Sequence, residues 1–122
     1  LDESDAKNLL RNGCQCITEC ANMPVTPQAA DLFFESKILY SPGKASNAGG
    51  VACSGLEMVQ NSTKLKWTRD EVDQRLRQIM ADIHRNCMEA AKEYGNNDNY
   101  HIGANIAGFK RVANAMIDQG NI

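Results

Sequence analysis

Two asparagines and a serine carry the chemistry that this chain's residues can be read to do. Asn47 stands in SPGKASNAGGVACSGLEM, Ser41 to Met58, just ahead of Gly49 and Gly50, and Ser54 lies a few residues further on. An Asn beside two glycines predicts a turn with free φ and no side-chain bulk, where a ligand can approach the backbone closely. Val51, Ala52, Cys53 and Ser54 then open a helix whose unpaired N–H groups face that turn, which suits a small anionic group. Asn22 closes the apolar run upstream. An Asn side chain offers donors and an acceptor without titrating, so it holds a ribose hydroxyl, a carboxamide or a carboxylate without changing its protonation. A lone Asn beside Gly or Pro more often supports a turn, and that alternative stands for each of the two.

The elements that must position these residues alternate. Asp2 to Arg11 reads as a short helix, with Ala6, Leu9 and Leu10 on one side and Asn12-Gly13 as its stop. Gly13 to Ala21 is an apolar, strand-like run ending at Asn22-Met23-Pro24. Pro27 to Ser36 is a second helix, and Ile38 to Tyr40 a second strand, both strands apolar enough to be buried on two faces. Strand, helix and strand at this spacing make a βαβ unit with parallel strands. Ligands of such sheets bind outside the carboxyl ends of the strands, which is where Asn22 and Asn47 stand, so both should look into one crevice.

Beyond the glycines the pattern is helical. Val51 to Asn61 forms one helix. Thr68-Arg69-Asp70-Glu71 is a capping box, and Val72, Leu76, Ile79, Met80, Ile83, Cys87, Ala90, Ala91 and Tyr94 trace a stripe ending at Gly95. Asn96 to Tyr100 reads as a polar loop. Asn105 to Gln119 is a last helix that turns Ile106, Phe109, Val112, Ala113 and Met116 toward a core. The fold class is therefore α/β: a partial Rossmann-like parallel sheet followed by a helical carboxyl-terminal half, with a division expected at 1–66 and 67–122. Two strands do not make a stable sheet alone. The start at Leu1, inside a helical pattern, likewise leads us to expect a piece of a longer protein.

Other constellations are weaker. GANIAGFK, Gly103 to Lys110, puts Phe109 where a phosphate loop needs lysine, and no strand precedes it. His84 falls on a helix and His101 in a loop, so no Ser/His/Asp or Cys/His arrangement assembles. Asn61-Ser62-Thr63 fits a glycosylation sequon without a secretory context. Cys14, Cys16, Cys20, Cys53 and Cys87 are an odd number with no CxxC pair, which argues against a disulfide framework and favours buried free thiols over a zinc site. A length of 122 residues, 43% hydrophobic and 23% charged residues and a formal net charge of −2 describe a globular chain with no basic stripe for nucleic acid or anionic membrane. No apolar run reaches the roughly 20 residues of a membrane span. A cytoplasmic protein is expected.

Four stretches now point further. ANMPVTPQA from Ala21, SPGKASNAGGVACSGLEM from Ser41, IMADIHRNCMEAAKEYG from Ile79 and GANIAGFKRVANAMIDQG from Gly103 resemble, in that order, the carboxyl-terminal part of the hexameric, typically NADP-dependent, glutamate dehydrogenases. Asn-Ala-Gly-Gly-Val also recurs in dehydrogenases that act on leucine or phenylalanine, but the GLEM continuation and the last helices favour glutamate dehydrogenase. Cys20 departs from the family, which usually has Gly there.

The resemblance implies reversible deamination of L-glutamate to 2-oxoglutarate and ammonia with NADP or NAD. It implies a homohexameric parent, and the charge balance above leaves no nucleic-acid or membrane partner expected. Asn22 would face the nicotinamide ribose, Asn47 the α-carboxylate side of the substrate beside the nicotinamide, Val51 its methylenes and Ser54 its distal carboxylate. Ser54, one turn into a helix, would sit beside the positive end of the dipole. The family's catalytic lysine and aspartate and its glycine-rich turn lie upstream, so no catalytic residue is expected in this chain. A non-catalytic binding module of the same fold is the alternative.

Overall fold

A computed structural model describes residues 1–96 and 99–121. Its elements are α1 (Glu3–Arg11), β1 (Cys16–Thr18), α2 (Pro27–Glu35), β2 (Leu39–Ser41), α3 (Gly43–Ser46), α4 (Ala48–Thr63), α5 (Arg69–Glu93) and α6 (Tyr100–Asp118). The expected βαβ unit and helical second half are both present. β1 and β2 pair in parallel, with Cys16 opposite Leu39, Ile17 opposite Tyr40 and Thr18 opposite Ser41.

Local signals explain the helix ends. Asp2 accepts from the Ser4 and Asp5 N–H groups while the Asp5 carboxylate accepts from the Asp2 N–H at 3.0 Å, a reciprocal cap that starts α1. Gly13, at φ +79°, stops it, because the Cys14 N–H then reaches back to Leu9 O and the Gly13 N–H to Leu10 O. Thr26 caps α2 ahead of Pro27. The Thr68/Glu71 box caps α5 as expected.

Three boundaries differ from expectation. β1 is only three residues long because β2 supplies only three partners, with one further bond at each end, Leu39 N–H to Gln15 O and Glu19 N–H to Ser41 O. α4 begins at Ala48 rather than Val51, so Gly49 and Gly50 lie in a helix and not in a turn. Asn47 already has helical φ and ψ of −89° and −1°, and α3 leads straight into it. α6 begins at Tyr100, where the Asn99 side chain accepts from the Ile102 N–H at 3.0 Å. Of the polar loop expected before it, residues 97–98 lie outside the described residues.

The strands are covered on one face only. Ala6, Ala29, Phe33 and Tyr40 form a buried cluster, with Leu9, Leu10, Ile17 and Val25 packed on it, between the sheet and the helices α1 and α2. On the other face Cys16 and Thr18 are exposed and Leu39 is 73% exposed. A second cluster, Ala45, Cys87 and Ala104, joins α3, α5 and α6, and Ile83 and Tyr100 pack against it. Burial, with the neighbouring Cys87, pushes the Tyr100 hydroxyl up to about 12. From α6 His101 reaches the first cluster, its ring 5.0 Å from that of Phe34 and 6.0 Å from that of Tyr40. α6 is apolar on two sides and meets α5 with one. Ile106 and Ala113 are half-buried, whereas Phe109, Val112 and Met116, expected in a core, are exposed. Of the cysteines only Cys87 is buried. Cys16 and Cys20 are exposed because the face and the loop that carry them have no cover. Among the described residues no helix is long and apolar enough to cross a membrane.

Candidate functional site

Asn47 occupies the junction of α3 and α4, closing one helix and opening the next. Its side chain makes no cap bond to α4. Instead Nδ2 donates to Ala21 O at 3.0 Å, across from the end of β2 to the end of β1. That carbonyl immediately precedes Asn22, so the structure ties together the two strand ends that the sequence places at one crevice. Asn22 itself is exposed, and Met23 after it, at φ 50°, turns the loop. The thiol of Cys20 bonds back to Thr18 O at 3.8 Å.

Asn47, Val51 and Ser54 follow one another at helical i, i+4 and i+7 positions, which stacks them on one face of α4. Val51 is 74% exposed, and Ser54 is exposed. The Ser54 hydroxyl makes one long bond, 3.4 Å, to Gly50 O. Because α4 starts at Ala48, Ser54 is almost two turns inside it, beyond the first turn where the dipole acts. At that depth a hydroxyl can meet an anion only by direct hydrogen bonding and not through the helix end.

Behind the asparagines lies a residue that the sequence reading missed. Glu19 is buried at the end of β1. One of its carboxylate oxygens accepts from the Tyr40 hydroxyl and the other from the Gly43 N–H at 2.5 Å, while its own carbonyl accepts from the Ser46 hydroxyl. The signal was there: a lone carboxylate in an apolar strand run is either paired or expensive to bury. Burial, and then the hydrogen bond and charge of Glu19, hold the Tyr40 hydroxyl well above its ordinary pKa. Burial and the positive charge of Lys44 lower the pKa of His101, with Glu19 pulling the other way. Gly43 has no room for a side chain, since a Cβ would lie 2.6 Å from Ala21 O.

A separate open groove of about 450 Å³ runs between α5 and α6, lined in part by Lys44, Cys87, Ala90, Lys110 and Arg111. None of Asn22, Asn47, Val51 and Ser54 lines it. Lys110 is bonded to Glu93 at 2.6 Å and Lys44 to the Asn105 side chain. Among the described residues no group of three or more His, Cys, Asp or Glu side chains is placed to hold a metal ion.

Residues 1–120 match the family model described as glutamate/leucine/phenylalanine/valine dehydrogenase. The chain belongs to this family. It is 55% identical over 120 residues to the NAD(P)-specific glutamate dehydrogenase of Xylanibacter ruminicola, covering 98% of this chain and 27% of that protein. It is 53% identical over 122 residues to the NAD-specific glutamate dehydrogenase of Bacteroides fragilis, again across 27% of the relative. The solved glutamate dehydrogenase of Plasmodium falciparum superposes with a TM-score of 0.92 at 49% identity, over 98% of this chain and 26% of that one. This member of the glutamate/leucine/phenylalanine/valine dehydrogenases thus spans about a quarter of the length of the relatives it matches.

Proposed function

We propose that this chain is the carboxyl-terminal segment of a glutamate dehydrogenase, the oxidoreductase that reversibly deaminates L-glutamate to 2-oxoglutarate and ammonia with NADP or NAD. The names of its relatives favour glutamate within the family, and cover both cofactors. The observation that carries the proposal is the exposed face of α4. It is apolar at Val51 and polar at Ser54, and the half-buried Asn47 just ahead of the helix puts a second polar group in line with them. These ends stand about 10 Å apart along the helix axis. A five-carbon diacid with a hydrogen bond of about 3 Å at each end fits that span, with its methylenes against Val51.

In this reading Asn47 binds the α-carboxylate side, Val51 excludes water from the methylenes and Ser54 donates to the distal carboxylate. Asn22 and Asn47 would hold the nicotinamide end of the cofactor. A non-titrating donor and acceptor pair at two tethered strand ends suits a ribose hydroxyl and a carboxamide. The nicotinamide supplies the hydride acceptor. No group of this chain is assigned as acid, base or nucleophile; the catalytic lysine and aspartate belong to the rest of the enzyme. The same reading includes a division near residues 1–66 and 67–122, a homohexameric assembly, a cytoplasmic setting, and small-molecule rather than nucleic-acid or membrane partners.

Ser54→Ala in the full-length enzyme tests the substrate assignment. A hydrogen bond to a charged group is worth on the order of 1.5–3 kcal/mol, so kcat/KM for glutamate should fall about tenfold or more. Apolar amino acids should lose little, because they have no distal carboxylate to place. Unchanged glutamate kinetics would remove Ser54 from the site and the distal-carboxylate contact with it.

A further inference from the structure

Glu19 is used by none of the roles above, yet its bonds all end on the segment that carries Asn47. Its carboxylate takes Tyr40 of β2 and the first N–H of α3 at Gly43, its carbonyl takes Ser46, and its N–H reaches Ser41 O at 3.0 Å. Two residues after Glu19, Ala21 O takes the Asn47 amide. The end of β1 and the β2–α3 segment are thus clamped by a buried side chain with both of its oxygens satisfied. Gly43 lets the two backbones close to that distance. Asn22 follows this clamp in the loop after β1, and Asn47 follows it at the end of α3.

We propose that Glu19 is a positioning residue that sets the spacing of Asn22 and Asn47, and so the register between the cofactor and the substrate in the dehydrogenase site. The proposal rests on the assignment of those asparagines to the two ligands. A polar group displaced by about 1 Å no longer reaches its hydrogen-bond partner, so ligands held from two strand ends bind less well when nothing fixes those ends together. An ordinary structural carboxylate would stabilise the fold without changing how the folded enzyme recognises either ligand. The two roles therefore separate on KM, which does not depend on how much enzyme is folded.

The test compares Glu19→Ala, Glu19→Gln and Tyr40→Phe in the full-length enzyme, with KM for L-glutamate and for NADP or NAD, kcat and thermal midpoint measured for each. Glu19→Ala should raise both KM values about tenfold, and Tyr40→Phe, which leaves the Gly43 bond, about threefold. Glu19→Gln should restore both to within about twofold. Its amide oxygen can accept from the Gly43 N–H while its amide NH2 donates to the Tyr40 oxygen. If Glu19→Ala yields no folded enzyme, Tyr40→Phe and Glu19→Gln decide alone. KM values unmoved in Glu19→Ala, or in Tyr40→Phe where that variant decides, would overturn the positioning role, as would a Gln variant as impaired as Ala. A parent enzyme that does not oxidise glutamate would overturn the functional proposal itself, which normal parent turnover beside unmoved KM values would not.

Discussion

Asn47→Ala in the full-length enzyme should lower kcat/KM for glutamate about a hundredfold or more. Two losses combine. Removing a hydrogen bond to a charged carboxylate costs on the order of 1.5–3 kcal/mol, and removing the Asn47 amide from Ala21 O costs roughly 1 kcal/mol more and frees the Asn22 loop. At about 1.4 kcal/mol per factor of ten, the sum corresponds to about two to three decades. The loss should not come from unfolding of α4, because the Asn47 side chain makes no cap bond to that helix. Steady-state kinetics beside a thermal melt separate these effects. A variant within threefold of the parent would reduce Asn47 to a junction residue between two helices.

Gly103→Ala should be severe for a different reason, because it attacks packing and not the site. A Cβ at Gly103 would lie 2.1 Å from Cys87 O and 2.9 Å from the Ala91 Cβ, so α5 and α6 would have to separate along their crossing. The obstacle is backbone, which cannot rotate away as a side-chain tip does. We expect a loss of about 3 kcal/mol, at the upper end for overpacking, seen as a lower thermal midpoint or loss of soluble protein. Gly108→Ala is the control on the same helix. No atom lies within 4 Å of its would-be Cβ, so it should be neutral, or stabilising by up to about 1 kcal/mol. Equal melts for the two variants would show that the α5–α6 crossing is looser than described.

What could be read from the residues alone follows from the physics of each signal. Caps and glycine stops are local, so α1, α2 and α5 end within a residue or two of where Asp2, Pro27, Thr68 and Gly95 place them. The parallel pairing was legible because a strand, a helix and a strand in so short a span leave few other topologies. Glycine inside a helix misled twice. Gly49 and Gly50 suggested a turn, and the last helix was expected only from Asn105, yet Gly49, Gly50 and Gly103 are all helical. Gly103 is there for close approach, a demand set by Cys87, a residue distant in sequence. Exposure was misjudged where an apolar residue was read as core, as for Phe109, Val112 and Leu39. Periodicity shows that a face is apolar and not which surface covers it. The asparagine pair was legible from its place at strand ends, whereas Glu19 was passed over because its partners lie on other elements.

Initial rates of NADP and NAD reduction by the full-length protein with L-glutamate, L-leucine, L-phenylalanine and L-valine test the central claim most directly. Half-buried Asn47 and exposed Ser54 put a polar group on either side of Val51, so glutamate should be the preferred substrate with at least one of the two cofactors, by tenfold or more in kcat/KM over each apolar amino acid. A preference for leucine, phenylalanine or valine, or no cofactor reduction with any of the four, would contradict it.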